Sequence, residues 1–557
     1  MSQRTFKVHC LNVGRTLHID GGDTLLEIAT QLGDELTLKP ICALVNNKEQ
    51  DLGFPIYAPK RIEFLDRTHP AGVRVYLHSL CMILYKAVKD CYPDAELVME
   101  YSVSHGYYCL FNGRAIDAEM VERIRARMRE IVAADFPFVY HERPTVEVAE
   151  IFAKAGLNDK RDLTDPSRHL YTQYYTLDDT PNSFYGPLAP STGYIDTFNI
   201  IPYHDGMLLL SFDRNHPDQA AEPVPQEKMF AAFEEYSQFN KIIGVENVGQ
   251  LNEAIRTGNA SLLVNVAEAL HTKKLSEIAA EIKKRFDRGG ARVVLISGPS
   301  SSGKTTTAKR LSIQLITCLI KPKVISIDDY FVDREKSPRD AMGNYDFESL
   351  YAIDLKTFND DLNALLRGET VRIPTYNFQT GRREYRDGCE MSLNPDECLL
   401  IEGIHGLNPE LTRQIPEEQK FKLYVSALTT LSLDNHNWIP TTDNRLLRRI
   451  VRDHKYRGSS ASDTIARWQS VRAGEEKWIF PYQENADAMF NSSLLFELAV
   501  MKSNAIQILS SVPHDVPQYA EAKRLLNFLI PFDQIEEIEL SSTSLLREFL
   551  GGSIFKY

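Results

Sequence analysis

Three things are scarce in this 557-residue chain: long apolar runs, cysteines at paired spacing, and an excess of positive charge. No stretch of about 18 apolar residues occurs, so no membrane-spanning helix is expected. Residues 1 to 30 lack the apolar core of a signal peptide. The eight cysteines (10, 42, 81, 91, 109, 318, 389, 398) form no CxxC pair and no zinc-like spacing. Reduced thiols in a cytoplasmic protein are the expectation. Lys and Arg number 63 against 76 Asp and Glu, for a formal charge of −13. That balance argues against general affinity for nucleic acid or anionic membrane, while leaving room for a local basic cluster. What is present, 43% hydrophobic and 25% charged residues, is the composition of a folded globular protein long enough for about three or four domains.

The run Gly298-Pro299-Ser300-Ser301-Ser302-Gly303-Lys304-Thr305 carries the strongest chemical signal. Before it, Arg292 to Ser297 reads as a buried strand. After it, from Thr306, the residues Ala308, Leu311, Leu315 and Leu319 recur at helical spacing. Strand, glycine loop and helix make a phosphate loop. Its backbone N–H groups and the dipole of the new helix, opened by Thr306, suit anionic oxygens. Lys304 would reach the β- and γ-phosphates, and the Thr305 hydroxyl would ligate Mg²⁺.

Four apolar segments, 292–297, 323–327, 398–402 and 421–425, alternate with helical ones, which predicts a parallel sheet covered on both faces. Helices are expected at 499–510 and 517–530. The second of these strands runs into Asp328-Asp329, two carboxylates at the sheet edge where α/β folds bind ligands. A carboxylate there can accept the proton of an attacking hydroxyl or bind the metal. Arg445, Arg448, Arg449 and Arg452 share one helix face, and Arg457 lies just before Gly458. Such a cationic stripe suits a lid over phosphates.

The front half has its own pattern. Phe6–Leu11 and Arg15–Ile19 alternate as two strands, and Asp23 is the expected N-cap of a short helix. Cys42–Val45, the Asn46-Asn47 turn and Arg61–Leu65 follow. Residues 1–66 thus resemble the TGS domain, a β-grasp module of threonyl-tRNA synthetases. Residues 67–250 resemble the next, α+β domain of the same synthetases, through His78-Ser-Leu-Cys-Met82, Ala87 to Asp94 and His105-Gly-Tyr-Tyr108, with Tyr185 to Gly193 as a long loop. In those enzymes the domain hydrolyses mischarged tRNA with an HxxxH pair and a later Cys and His. Here Met82 replaces the second histidine and no later Cys/His pair matches, so the resemblance implies a kept fold without the hydrolase chemistry. Residues 251–290 read as a helical connector, with Leu275, Ile278, Ala279 and Ile282 as an apolar packing stripe.

Residues 291–557 resemble the uridine kinase and phosphoribulokinase family from Val293 to about Phe496. The resemblance places Asp328 as general base through Ser326-Ile-Asp328-Asp329-Tyr330-Phe331. Asn344-Tyr345-Asp346-Phe347 is similar to the segment whose aspartate grips sugar hydroxyls, so Tyr345 and Asp346 are assigned to substrate. Ile373 to Phe378 with Arg382 and Arg383 resembles the substrate loop, which adds Tyr376 and Arg383. Leu399 to Gly403 corresponds to the strand end where Glu402 acts on Mg²⁺ with Thr305 and Asp328. Arg449 and Arg457 go to the nucleotide, and Arg452 joins Lys304 and Asp328 as catalytic. One departure stands out: Gly381 occupies the position of the histidine that uridine kinases hold beside the pyrimidine.

The expectation is therefore an α/β chain whose doubly wound phosphate-loop NTPase sheet follows a β-grasp and an α+β domain. It would transfer phosphate from Mg·ATP to a hydroxyl of a uridine- or cytidine-like nucleoside, or of a related sugar-containing small molecule or polyol. The alternative is an RNA- or ribosome-linked nucleotide switch working through the synthetase-like half. The apolar residues Leu545 to Tyr557 suggest packing or a homo-oligomer contact.

Overall fold

The computed structural model describes residues 5–339, 343 and 345–556; Asn344, in the segment expected to grip sugar hydroxyls, lies outside them. Residues 5–65 form a five-stranded sheet with one α-helix sharing its core. Strand Thr5–Cys10 pairs antiparallel with Arg15–Asp20 and parallel with Lys60–Leu65. Cys42–Val45 and Lys48–Gln50 complete the five-stranded sheet. Asn46 and Asn47, at φ 49° and 58°, make the two-residue turn that favours asparagine because both positions are left-handed. The helix Leu25–Leu32 starts one residue later than expected. Its N-cap is Thr24, which forms a reciprocal capping box with Glu27. Asp23 instead turns back to accept from Asp20 N–H at 2.9 Å.

The second region packs the 22-residue helix Pro70–Cys91 against an antiparallel sheet in the order 199–203, 206–210, 106–111, 97–103. A second sheet, 180–182, 171–177, 138–144, borders the same core. Helices Val248–Arg256 and Ala260–Phe286 follow. Leu275, Ile278, Ala279 and Ile282 of the latter share one hydrophobic cluster with Ala308, Leu311 and the sheet residues Val294 and Ile296. The connector is thus a wall of the C-terminal core.

The C-terminal sheet is parallel throughout, in the order Lys321–Ser326, Glu397–Glu402, Val293–Ser297, Lys420–Ser426, Ala488–Asn491. The four expected strands are present. The fifth, Ala488–Asn491, is too short to show a pattern of its own. Along Val293–Ser297, Val293 and Leu295 face one hydrophobic cluster while Val294 and Ile296 face another, so both faces are covered, as continuous apolar strands require. Helices Glu497–Leu509 and Tyr519–Leu529 occupy the expected stretches. Among the described residues no helix is long and apolar enough to cross a membrane.

The front and back halves meet through buried chemistry. Lys160 donates to Asp434 at 2.7 Å and to the Ser183 carbonyl at 3.0 Å, and both side chains of the ion pair are almost fully buried. Asn437 donates to both Asp434 carboxylate oxygens at 2.8 Å.

Candidate active site

The phosphate loop leaves strand Val293–Ser297 and enters helix Lys304–Thr317. Both glycines are sterically required. A Cβ on Gly298 would lie 1.9 Å from the Val425 carbonyl oxygen. Gly303 has φ 84°, and a Cβ there would sit 2.9 Å from Leu545 Cδ1. The loop is held from outside as well. Arg445 Nε donates to Ser300 O at 2.9 Å and Arg448 Nη1 to Ser301 O at 3.3 Å. Ser300 N–H donates to Glu475 at 3.0 Å, and Ser492 donates to Ser302 O at 2.5 Å. Pro299 contributes its carbonyl: Lys304 Nζ lies 2.9 Å from Gly298 O and 3.1 Å from Pro299 O.

An acidic group faces this lysine. Burial lowers the Lys304 ammonium from its ordinary value, and the charges of Glu402, Asp328 and Glu548 oppose that fall. Burial raises the Asp328 carboxyl, while Lys304 and then Arg457 pull it down. Lys304, Asp328 and Glu402 therefore lie near enough to shift one another's protonation at the carboxyl ends of three strands. Glu402 is pushed to about 7 by burial and by Asp328, against Lys304. One of its oxygens accepts from Thr305 Oγ1 at 3.4 Å and from Ser326 Oγ at 3.2 Å. Hydroxyl and carboxylate oxygens are the hard donors Mg²⁺ prefers, so Thr305, Glu402 and Asp328 fit that ion. Among the described residues no group of three His, Cys, Asp or Glu side chains is placed to hold a metal ion. The second aspartate of the couplet has a separate task. Asp329 accepts from Tyr376 N–H at 3.2 Å and so ties the strand Thr375–Asn377 to the site.

The arginine stripe divides into two classes, and this corrects the single lid expected for it. Arg445 and Arg448 are fully buried, paired with Glu475 and Glu497. They brace the loop backbone rather than present charge to a ligand. Arg449, Arg452 and Arg457 gather on Asp453, with Nε atoms 3.3, 2.9 and 3.6 Å from its carboxylate oxygens. Arg449 also donates to the Ser300 hydroxyl at 2.9 Å, and burial and the Arg452 charge lower the Arg457 guanidinium, against which the Asp328 carboxylate acts. Arg449 thus reaches the phosphate loop and Arg457 feels Asp328, while Arg452 is held on Asp453. The distinction is testable. Arg448→Ala leaves the buried Glu497 carboxylate without its cation, and denaturant unfolding is expected to show a loss of about 3–5 kcal/mol. A free lid arginine would instead leave stability unchanged.

On the acceptor side the arrangement is mixed. Tyr376 is buried, its ring 5.5 Å from Phe331 and 5.1 Å from Phe378. Asp346 accepts from the Glu348 N–H at 3.2 Å, and its own N–H donates to Pro338 O at 2.8 Å, so its carboxylate stabilises its own loop. Tyr345 lies under the Arg339 guanidinium at 4.3 Å. Arg383 is engaged with Asp354 at 2.9 Å, at the side of the pocket. Gly381 has φ 71°, and a Cβ there would lie 2.8 Å from Arg334 Cβ. Arg334 thus fills the space beside the position where uridine kinases carry a histidine.

Four residues absent from the sequence reading line the site: Glu348, Glu475, Arg334 and Glu548. Isolated charged residues give no periodicity or motif by which to find them. Glu348 is raised to about 7 by burial and by Glu475, with Arg449 opposing. Because the folded-state value lies above the ordinary 4.5, this carboxyl contributes stability fully below pH 4.5. That contribution is lost as pH rises toward 7. The Tm of the wild type minus that of Glu348→Gln should therefore fall between pH 5 and pH 8, and a flat difference would contradict the placement of this carboxyl.

In the second region, His78 keeps no partner of the kind an HxxxH site needs. Met82 is fully buried. The Phe184 ring stacks on His78 at 5.7 Å, and burial drives the imidazole down to about 3. Its Nδ1 makes no hydrogen bond. It is a neutral packed histidine.

A profile of the Phosphoribulokinase / Uridine kinase family matches residues 293–495. The front of the chain is similar to threonine–tRNA ligases. That of Desulforamulus reducens is 31% identical over 182 residues, 32% of this chain and 29% of the ligase. That of Syntrophotalea carbinolica is 30% identical over 181 residues, 31% of this chain and 28% of the ligase. The chain spans less than a third of the length of these relatives. A solved structure described as a possible uridine kinase from Bacillus stearothermophilus is 23% identical. It aligns with 38% of this chain and 99% of its own, with a TM-score of 0.24. The family match implies phosphotransfer from a nucleoside triphosphate. Residues 293–495 thus form a kinase domain of the Phosphoribulokinase / Uridine kinase family, carried behind an amino-terminal region similar to threonine–tRNA ligase.

Proposed function

We propose that this protein is an ATP-dependent kinase that phosphorylates a hydroxyl of a nucleoside or a related sugar-containing small molecule. The observation that carries the reading is the strand-end carboxylate of Glu402 set against the phosphate-loop hydroxyl of Thr305 at 3.4 Å, with Lys304 and Asp328 near enough to shift it. In this reading the loop from Gly298 to Thr306 binds the phosphates through backbone N–H groups. Asp328, raised by burial toward a more basic carboxylate, takes the proton of the acceptor hydroxyl. Lys304 and Arg452 offset the charge on the migrating phosphoryl group, while Arg449 and Arg457 hold the remaining phosphates. Thr305, Glu402 and Asp328 would hold Mg²⁺, which supplies further charge neutralisation when bound. Tyr376 and Asp346 shape the acceptor side. Arg334 against Gly381 favours an acceptor other than uridine, a different nucleoside or a smaller polyol. Incubation with Mg·ATP and a panel of nucleosides, sugars and polyols, read by product mass, tests the reading; no phosphorylated product across the panel would overturn it.

The similarity to threonine–tRNA ligases supports a second reading, an RNA-linked regulator. Filter binding of tRNA at two salt concentrations separates the two, because real phosphate contacts give a steep salt dependence.

A further inference from the structure

The segment after residue 540 lies beyond the family match, yet it touches the phosphate loop directly. Leu545 and Leu546 are fully buried, and Leu545 covers Gly303. Phe549 lies beneath the Arg448 guanidinium at 5.1 Å, and Lys455 donates to the Leu550 carbonyl. These contacts aim one carboxylate at the start of helix Lys304–Thr317. Glu548 Oε2 accepts from the Thr306 N–H at 3.3 Å and from the Thr306 hydroxyl at 2.5 Å. Its charge is felt by both Lys304 and Glu402.

A backbone N–H and a hydroxyl in the first turn of this helix are the donors that a nucleotide phosphate would use. A carboxylate is an anion with oxygens spaced to accept the same pair of bonds. The rest of the loop is internally engaged in the same state. Ser300 N–H is bonded to Glu475, and Lys304 is bonded to the Gly298 and Pro299 carbonyls.

We propose that Glu548 is a built-in competitor of the nucleotide, an intramolecular anion seated on a phosphate position, so that nucleotide binds only as residues 541–552 withdraw from the loop. The inference rests on reading Gly298 to Thr306 as the nucleotide site. Two anions cannot share the Thr306 donors. A nucleotide brings several negative charges within reach of Lys304 and of Arg449, Arg452 and Arg457, and it displaces the single carboxylate by outcompeting it. The segment then lowers the apparent affinity in proportion to the fraction of molecules in which Glu548 is seated. Anything that binds the withdrawn form of 541–552 raises nucleotide affinity by the same factor.

The test uses the full chain and a fluorescent ADP analogue with Mg²⁺, so no acceptor is required. Glu548→Gln keeps the size of the side chain and removes its charge. An anion at a helix N-terminus is worth enough to predict binding roughly 3- to 30-fold tighter than wild type. Equal or weaker binding by Glu548→Gln overturns the proposal while leaving the kinase reading intact. Absence of binding by both proteins overturns the nucleotide site itself, and this inference with it. Hydrogen exchange supplies a readout that does not depend on a variant. Amides of 541–552 in the wild type are expected to exchange faster when the ADP analogue is bound, and unchanged or slower exchange counts against withdrawal.

Discussion

Lys304→Ala is expected to reduce phosphotransfer by about 10³-fold or more, with a matching loss of nucleotide binding. Loss of a single preorganised donor to a developing charge costs about 10²–10³, and this side chain does more than donate. It is the cation closest in effect to Asp328 and Glu402, which burial already raises. Without it both carboxyls rise further and the loop loses the ammonium that would attract an anionic ligand. Arginine is not a conservative replacement, because the Nζ contacts to Gly298 O and Pro299 O fit a compact ammonium rather than a planar fork. Single-turnover measurements with the acceptor found in the panel, beside nucleotide titration, are the check. Retained turnover in Lys304→Ala would remove the loop from the reaction.

Asp328→Asn should separate the chemical step from binding. The isosteric amide keeps the local packing and cannot take a proton, so transfer should fall by about 10²–10⁴-fold. Nucleotide affinity should change much less, because the backbone donors of the loop are untouched. A phosphotransfer rate within a few-fold of wild type would show that the proton leaves by another route. If Mg²⁺ affinity collapses in parallel, Asp328 acts chiefly through the ion.

How far the sequence carries this site depends on the kind of signal. The loop was legible because glycine, lysine and threonine recur at fixed offsets between a strand and a helix. Both glycines proved to be places where a Cβ would strike Val425 O or Leu545. The couplet Asp328-Asp329 was legible as a strand-end feature, but its division of labour was not, since only the tertiary contact to Tyr376 N–H shows what Asp329 does. Helical spacing placed five arginines together and could not tell which face is buried. The partners that decide it, Glu475 and Glu497, lie 30 and 49 residues away in sequence. Thr24 took the cap from Asp23 because Glu27 reciprocates only with the threonine. The strand Ala488–Asn491 has four residues, too few for a period.

The buried pair between Lys160 and Asp434 bears on how the two halves can communicate. Pulling them apart would leave two bare ions, each costing several kcal/mol unless water reached it at once. The front half is accordingly no tethered arm swinging on a hinge. A small shift of the 432–438 hairpin would pass into the helix Thr441–Arg457, whose Arg445 and Arg448 hold the Ser300 and Ser301 carbonyls of the glycine loop.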